Sequence, residues 1–123
     1  MQLMTDRKRA IGLGSGRHGT HHHWQMMVTS MALVVLVPVF LITFGLGLGG
    51  TYEEVLAYFS RPFPAIMTML TIGVGIFHLM NEVIVAVEDY VPGTKGKLTI
   101  FAVTAVSYIM ILAGVFAVLR IAL

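Results

Sequence analysis

Three stretches of this chain are almost wholly apolar, and its polar residues gather between them. Residues 24–49 contain no ionisable side chain, and residues 62–81 and 98–119 contain no Asp, Glu, Lys or Arg. The apolar character of the second stretch continues to residue 87 around Glu82. Each run exceeds the roughly 20 residues that cross a hydrocarbon core about 30 Å thick. A soluble amphipathic helix would interrupt such runs with a polar face, and none of the three does so. The pattern predicts an all-α membrane protein with transmembrane helices at about 24–48, 63–88 and 98–121.

The interruptions fit the same reading. "GLGLGG" (residues 45–50) suits the end of the first helix, because glycine is permissive at C-caps. Pro62 and Pro64 suit a first helical turn. "YVPGTKGK" (90–97) reads as a short connection, with Pro92-Gly93 as its turn signal. Pro38 falls inside the first span, where neighbouring helices can satisfy a freed carbonyl. "TYEEVLAYF" (51–59) sets Tyr52, Val55, Leu56 and Phe59 on one side of a short interfacial helix.

Composition agrees with a bilayer. Hydrophobic residues make up 57% of the 123 and charged residues 11%, against about a quarter charged in a soluble domain. So small a chain cannot bury that much apolar surface within itself, and its length predicts one domain, 1–123. With no cysteine, the chain offers no disulfide, thiolate nucleophile or iron–sulfur ligand. Arg7, Lys8 and Arg9 imitate the start of a signal peptide, but a Gly/His-rich stretch follows where an apolar core would stand. The basic residues instead report topology. Arg7, Lys8, Arg9 and Arg17 precede the first span, and Lys95 and Lys97 follow the second. The positive-inside rule puts segment 1–23 and the 89–97 loop in the cytoplasm.

The second span carries polar residues that a membrane tolerates poorly. His78, Glu82 and Asp89 fall at i, i+4 and i+11, near one helix face, with Thr71 and Gly75 extending the stripe. At about 1.5 Å per residue, His78 lies about 16 Å inside Asp89, near mid-bilayer. A histidine at that depth either hydrogen-bonds a neighbouring helix or ligates a metal or haem. With only one histidine at depth, a six-coordinate haem would take its second ligand from another chain. Glu82 is either packed structurally or part of a proton path, with packing favoured. Asp89-Tyr90 reads as an ordinary helix end with a belt tyrosine, or as a quinone headgroup site in which the phenol donates to a carbonyl and the carboxylate supports it.

The busiest segment is "GLGSGRHGTHHHW" (12–24), with four of the five histidines. Its G-x-G-x-x-G lacks the preceding strand and surrounding βαβ unit of a dinucleotide site. Three adjacent histidines are too few for a usual tag and lack zinc-site spacing. The segment reads as a flexible stretch on the cytoplasmic face, anchored by Trp24. His21, His22 and His23 could there face an anionic cofactor edge.

Taken together, three spans, "GSGRHGTHHHW" before the first, "FH" in the second and "EDYV" at its end resemble the hydrophobic membrane anchor family of succinate dehydrogenase, the D subunits of bacterial complex II. The resemblance runs from about Gly12 to the end. Its most specific element is H-x10-D-Y-V: His78, Asp89, Tyr90 and Val91. It implies a helical bundle formed with a cytochrome b556-type C anchor subunit, docked to iron–sulfur and flavoprotein subunits in a bacterial inner membrane. It also implies haem b as cofactor with His78 as axial ligand to its iron, and ubiquinone as substrate at Tyr90 and Asp89. Family members commonly carry an arginine in the opening turns of the first helix, before a "TA"-like pair, which contacts the haem propionates. Met27 stands near that place here, leaving Arg17, His21, His22 or His23, or the partner chain, to supply the contact. Two rivals remain at this point, beside a bland third option of a scaffold protein with no cofactor. One is a fumarate reductase anchor running the chemistry in reverse. The other is a small proton-conducting channel or transporter subunit with a His78–Glu82 relay, for which broken helices or inverted repeats would be the sign.

Overall fold

The structure, a computed structural model, describes residues 4–12 and 18–123, the side chain of His18 excepted. Among the described residues there are five helices and no strand: α1 (Asp6–Ile11), α2 (His18–Leu46), α3 (Tyr52–Phe59), α4 (Pro62–Tyr90) and α5 (Gly93–Ala122). Helices α2, α4 and α5 are long and apolar enough to span a membrane.

The three spans match the apolar runs, but the helices extend past them. α2 begins at His18, ahead of the expected 24, and α5 at Gly93, ahead of 98. Hydropathy marks the membrane boundary, whereas a helix continues until its backbone is stopped. Nothing between Thr20 and Trp24 stops it, so His21–His23 are helical rather than a loose surface stretch. Pro38 lies inside α2 without ending it. At the far end α2 stops at Leu46, two residues early, as Gly47 and Leu48 turn to 3₁₀-type bonds with Phe44 and Gly45. α4 runs on to Tyr90, where Pro92 and Gly93, at φ 75°, turn the chain.

The interfacial helix forms as its pattern predicts. Thr51 caps α3 through a reciprocal pair: its hydroxyl accepts from the Glu54 amide at 3.3 Å, and its own amide donates to the Glu54 carboxylate at 2.8 Å. Tyr58 on α3 donates to the Thr43 carbonyl of α2 at 2.6 Å. Gly47 makes room for this, because a Cβ there would collide with the Tyr58 ring. Phe40, Phe44 and Phe59 stack in series, with centroids 5.3 and 5.5 Å apart.

α4 lies between α2 and α5, packing against both, while among the described residues α2 and α5 do not meet. The spans therefore form a layer rather than a closed bundle. Membrane helices gain no hydrophobic drive to associate and rely on close packing at small residues. Gly114 of α5 provides such a contact, since a Cβ there would stand 2.9 Å from Ile72 Cγ2 on α4. Few side chains are buried, chiefly Ala65, Met80 and Val118 with Thr43, Thr68, Asn81 and Ser107. Large apolar residues such as Val34, Phe101 and Leu112 face outward, as expected of surfaces meeting lipid or another subunit. Hydroxyls inside the spans bond back to their own helix: Ser30 to Met26, Thr68 to Pro64, Thr71 to Met67 and Thr104 to Ile100.

Candidate functional site

His78 departs from that habit by bonding across helices. Its Nδ1 lies 2.8 Å from the Thr29 hydroxyl on α2. The predicted stripe explains why. Gly75, one turn away, faces Leu33 of α2 at 4.0 Å from its virtual Cβ, so this side of α4 is the α2-facing side. The His78 side chain is 16% exposed. Among the described residues its Nε2 has no hydrogen-bond partner; Glu82 Oε1 stands 3.8 Å away, beyond hydrogen-bond length.

Glu82 is not packed away as expected. Its side chain is 59% exposed and borders a groove of about 490 Å³ between α2 and α4. Three turns of α2 supply the opposite wall: His22, His23, Met26, Met27 and Ser30. The antiparallel register that brings Thr29 to His78 sets His21–His23 level with residues 84–86, between His78 and Asp89. The structure thus brings His22 and His23, but not His21, to the groove beside Glu82. Among the described residues, the His22 Nε2 atom is buried there without a hydrogen-bond partner. Met27 lines the same groove, at the place where the resemblance leads one to expect arginine. Arg17 lies outside the described residues.

Asp89 and Tyr90 are the last residues of α4. Both are exposed, Tyr90 at 84%, so this chain alone does not enclose a headgroup around them. A separate apolar groove of about 460 Å³ crosses the layer, lined by Thr29, Gly73, Val74 and Phe77 with Ile66, Met69, Leu70 and Ile111. Thr29, the partner of His78, is among its lining residues.

Thr29 is the functional candidate that the sequence reading passed over. In sequence it is one hydroxyl in an uncharged run, and only the antiparallel pairing of α2 with α4 brings it to His78.

Three long apolar helices packed through α4 define a multi-pass membrane protein. Sequence comparison supplies the family: residues 1–119 match the succinate dehydrogenase/fumarate reductase transmembrane subunits, and the chain belongs to that family. It is 41% identical, over its whole length and 95% of the relative's, to the succinate dehydrogenase hydrophobic membrane anchor subunit of Paracoccus denitrificans. It is 28% identical, over 89% of each chain, to the protein of the same name from Rickettsia bellii (strain RML369-C). No solved structure matches the chain.

Proposed function

We propose that this chain is the hydrophobic anchor of a succinate:quinone oxidoreductase in a bacterial inner membrane, with its N-terminus in the cytoplasm. It would pair with a C-type anchor, hold one side of haem b and build part of the ubiquinone site. The observation that carries this reading is one largely buried imidazole, bonded at Nδ1 and, among the described residues, without a hydrogen-bond partner at Nε2, on the helix that ends in Asp89-Tyr90.

The residues present suit haem better than a bare ion. Among the described residues no three metal-ligating side chains come together, so there is no cage for an isolated cation. A macrocycle brings its own equatorial nitrogens and asks the protein only for axial ligands. His78 would hold the iron from this chain through Nε2, and any second protein ligand would come from a partner chain. When bound, haem b supplies a one-electron redox centre within the anchor. His22 and His23, one to two turns nearer the helix end, give the groove polar donors suited to an anionic edge.

Succinate chemistry would take place on the flavoprotein, and electrons would reach quinone through iron–sulfur clusters. At the quinone, the Tyr90 phenol would donate to a carbonyl oxygen, and Asp89 would orient it and relay a proton. The direction of succinate oxidation rests on both relatives' names, because the family spans both directions. A transporter with a His78–Glu82 relay fits less well, since α4 is continuous from Pro62 to Tyr90.

The test is an optical spectrum of the mildly solubilised complex, with its co-purifying chains identified. A reduced haem b band with flavin and iron–sulfur partners is expected. A preparation containing this chain in full yield with none of them would overturn the assignment.

A further inference from the structure

We propose that Thr29 is a positioning residue for His78: its hydroxyl selects the Nδ1-protonated imidazole and leaves the Nε2 lone pair to ligate. The proposal rests on the haem reading above and adds a residue to it.

Hydrogen counting carries the argument. Thr29 Oγ1 lies 2.9 Å from the Gln25 carbonyl, 3.1 Å from the Met26 carbonyl and 2.8 Å from His78 Nδ1. The hydroxyl has one hydrogen, and the two carbonyl oxygens can only accept. If that hydrogen pointed at Nδ1, both carbonyls would face an oxygen lone pair at hydrogen-bond distance. With the hydrogen on the carbonyls, Oγ1 turns a lone pair to Nδ1, and Nδ1 must be the donor. Neutral imidazole carries one N–H, so Nε2 is then a bare acceptor. Glu82, at 3.8 Å from Nε2, is too far to reverse the choice through a hydrogen bond.

The same contacts make Thr29 a rigid acceptor. Back-bonding to α2 and β-branching restrict its χ1, so the oxygen stands at a fixed place on the helix surface. Other span hydroxyls such as Thr68 and Thr71 bond within their own helix; Thr29 does that and also reaches α4. An N–H partner on a ligating imidazole fixes its tautomer and raises its basicity, and losing it typically costs 10–100-fold in affinity. A more basic ligand favours ferric iron, so losing the bond should raise the haem midpoint. A tenfold loss of ferric preference corresponds to about 59 mV for a one-electron couple.

The test compares Thr29→Val, Thr29→Ser and His78→Ala in the assembled complex, by haem content and redox titration. Thr29→Val keeps the shape without the hydroxyl and should raise the midpoint and lower haem retention; Thr29→Ser should restore both. If Thr29→Val does not assemble, Thr29→Ala, which leaves space rather than bulk, is read in the same way. Loss of haem in His78→Ala with unchanged midpoint and retention in the Thr29 variants would overturn the role of Thr29 alone. Full haem in His78→Ala would overturn the reading beneath it. A Thr29→Ser midpoint equal to that of Thr29→Val would also overturn the proposal, because the hydroxyl would then not be the cause.

Discussion

Replacing Tyr58 by phenylalanine removes one oxygen, and the hydrogen-bond accounting at the end of α2 sets what that should cost. The last four carbonyls of an α-helix lack intrahelical donors. Here Phe44 accepts from the Gly47 amide at 3.1 Å and Gly45 from Leu48 at 3.2 Å. The Gly47 amide, which would ordinarily bond to Thr43, is thereby diverted, and the Thr43 carbonyl accepts from the Tyr58 hydroxyl instead. Thr43 is 6% exposed, so Tyr58→Phe strands a buried acceptor. Such a group costs about 1–3 kcal/mol, and each 1–2 kcal/mol is a factor of about 5–30 in the folding equilibrium. The assay is equilibrium unfolding of the purified complex in mixed micelles, following Trp24 fluorescence and loss of assembly. Gly47→Ala should have a similar effect, because the added methyl displaces the Tyr58 ring that carries the hydroxyl. The two changes should add to much less than their sum, since they break the same bond. A Tyr58→Phe complex of unchanged stability, or full additivity with Gly47→Ala, would refute this reasoning.

Three further outcomes are expected. Gly114→Leu should weaken α4–α5 packing by about 1–3 kcal/mol, as overpacking against a β-branched residue does, and lower the yield of assembled complex after detergent extraction. Thr51→Ala should remove the capping box of α3, at a cost of about 1 kcal/mol, seen as faster hydrogen exchange confined to α3 amides. Tyr90→Phe should reduce quinone reductase activity while sparing succinate oxidation by artificial acceptors; equal survival of both activities would remove Tyr90 from the site.

The spans were legible in sequence because runs without charge report membrane depth directly. α3 was legible because Tyr52, Val55, Leu56 and Phe59 repeat at helical spacing. Helix ends were less so: His21–His23 belong to α2 although their polarity suggested a loose segment, since polarity marks the interface and not the end of hydrogen bonding. His78 stood out because an imidazole among apolar neighbours needs a partner. The partner, Thr29, is 49 residues away in sequence, and its hydroxyl is indistinguishable in sequence from those that bond to their own helix. Glu82 was expected to be packed, and the layered arrangement leaves it on a groove instead. Asp89 and Tyr90 were singled out in sequence by their motif, and the fold leaves both exposed at the end of α4.

The central claim is that His78 is the ligand this chain offers to haem. The measurement that meets it most directly is the dithionite-reduced minus oxidised spectrum of the purified complex carrying His78→Ala, normalised to the amount of this chain. The account predicts that the haem b band is lost or sharply reduced while the chain remains in the membrane, because the imidazole that would hold the iron is gone and, among the described residues, no other histidine lies at that depth. A full haem band at its unaltered wavelength would contradict it.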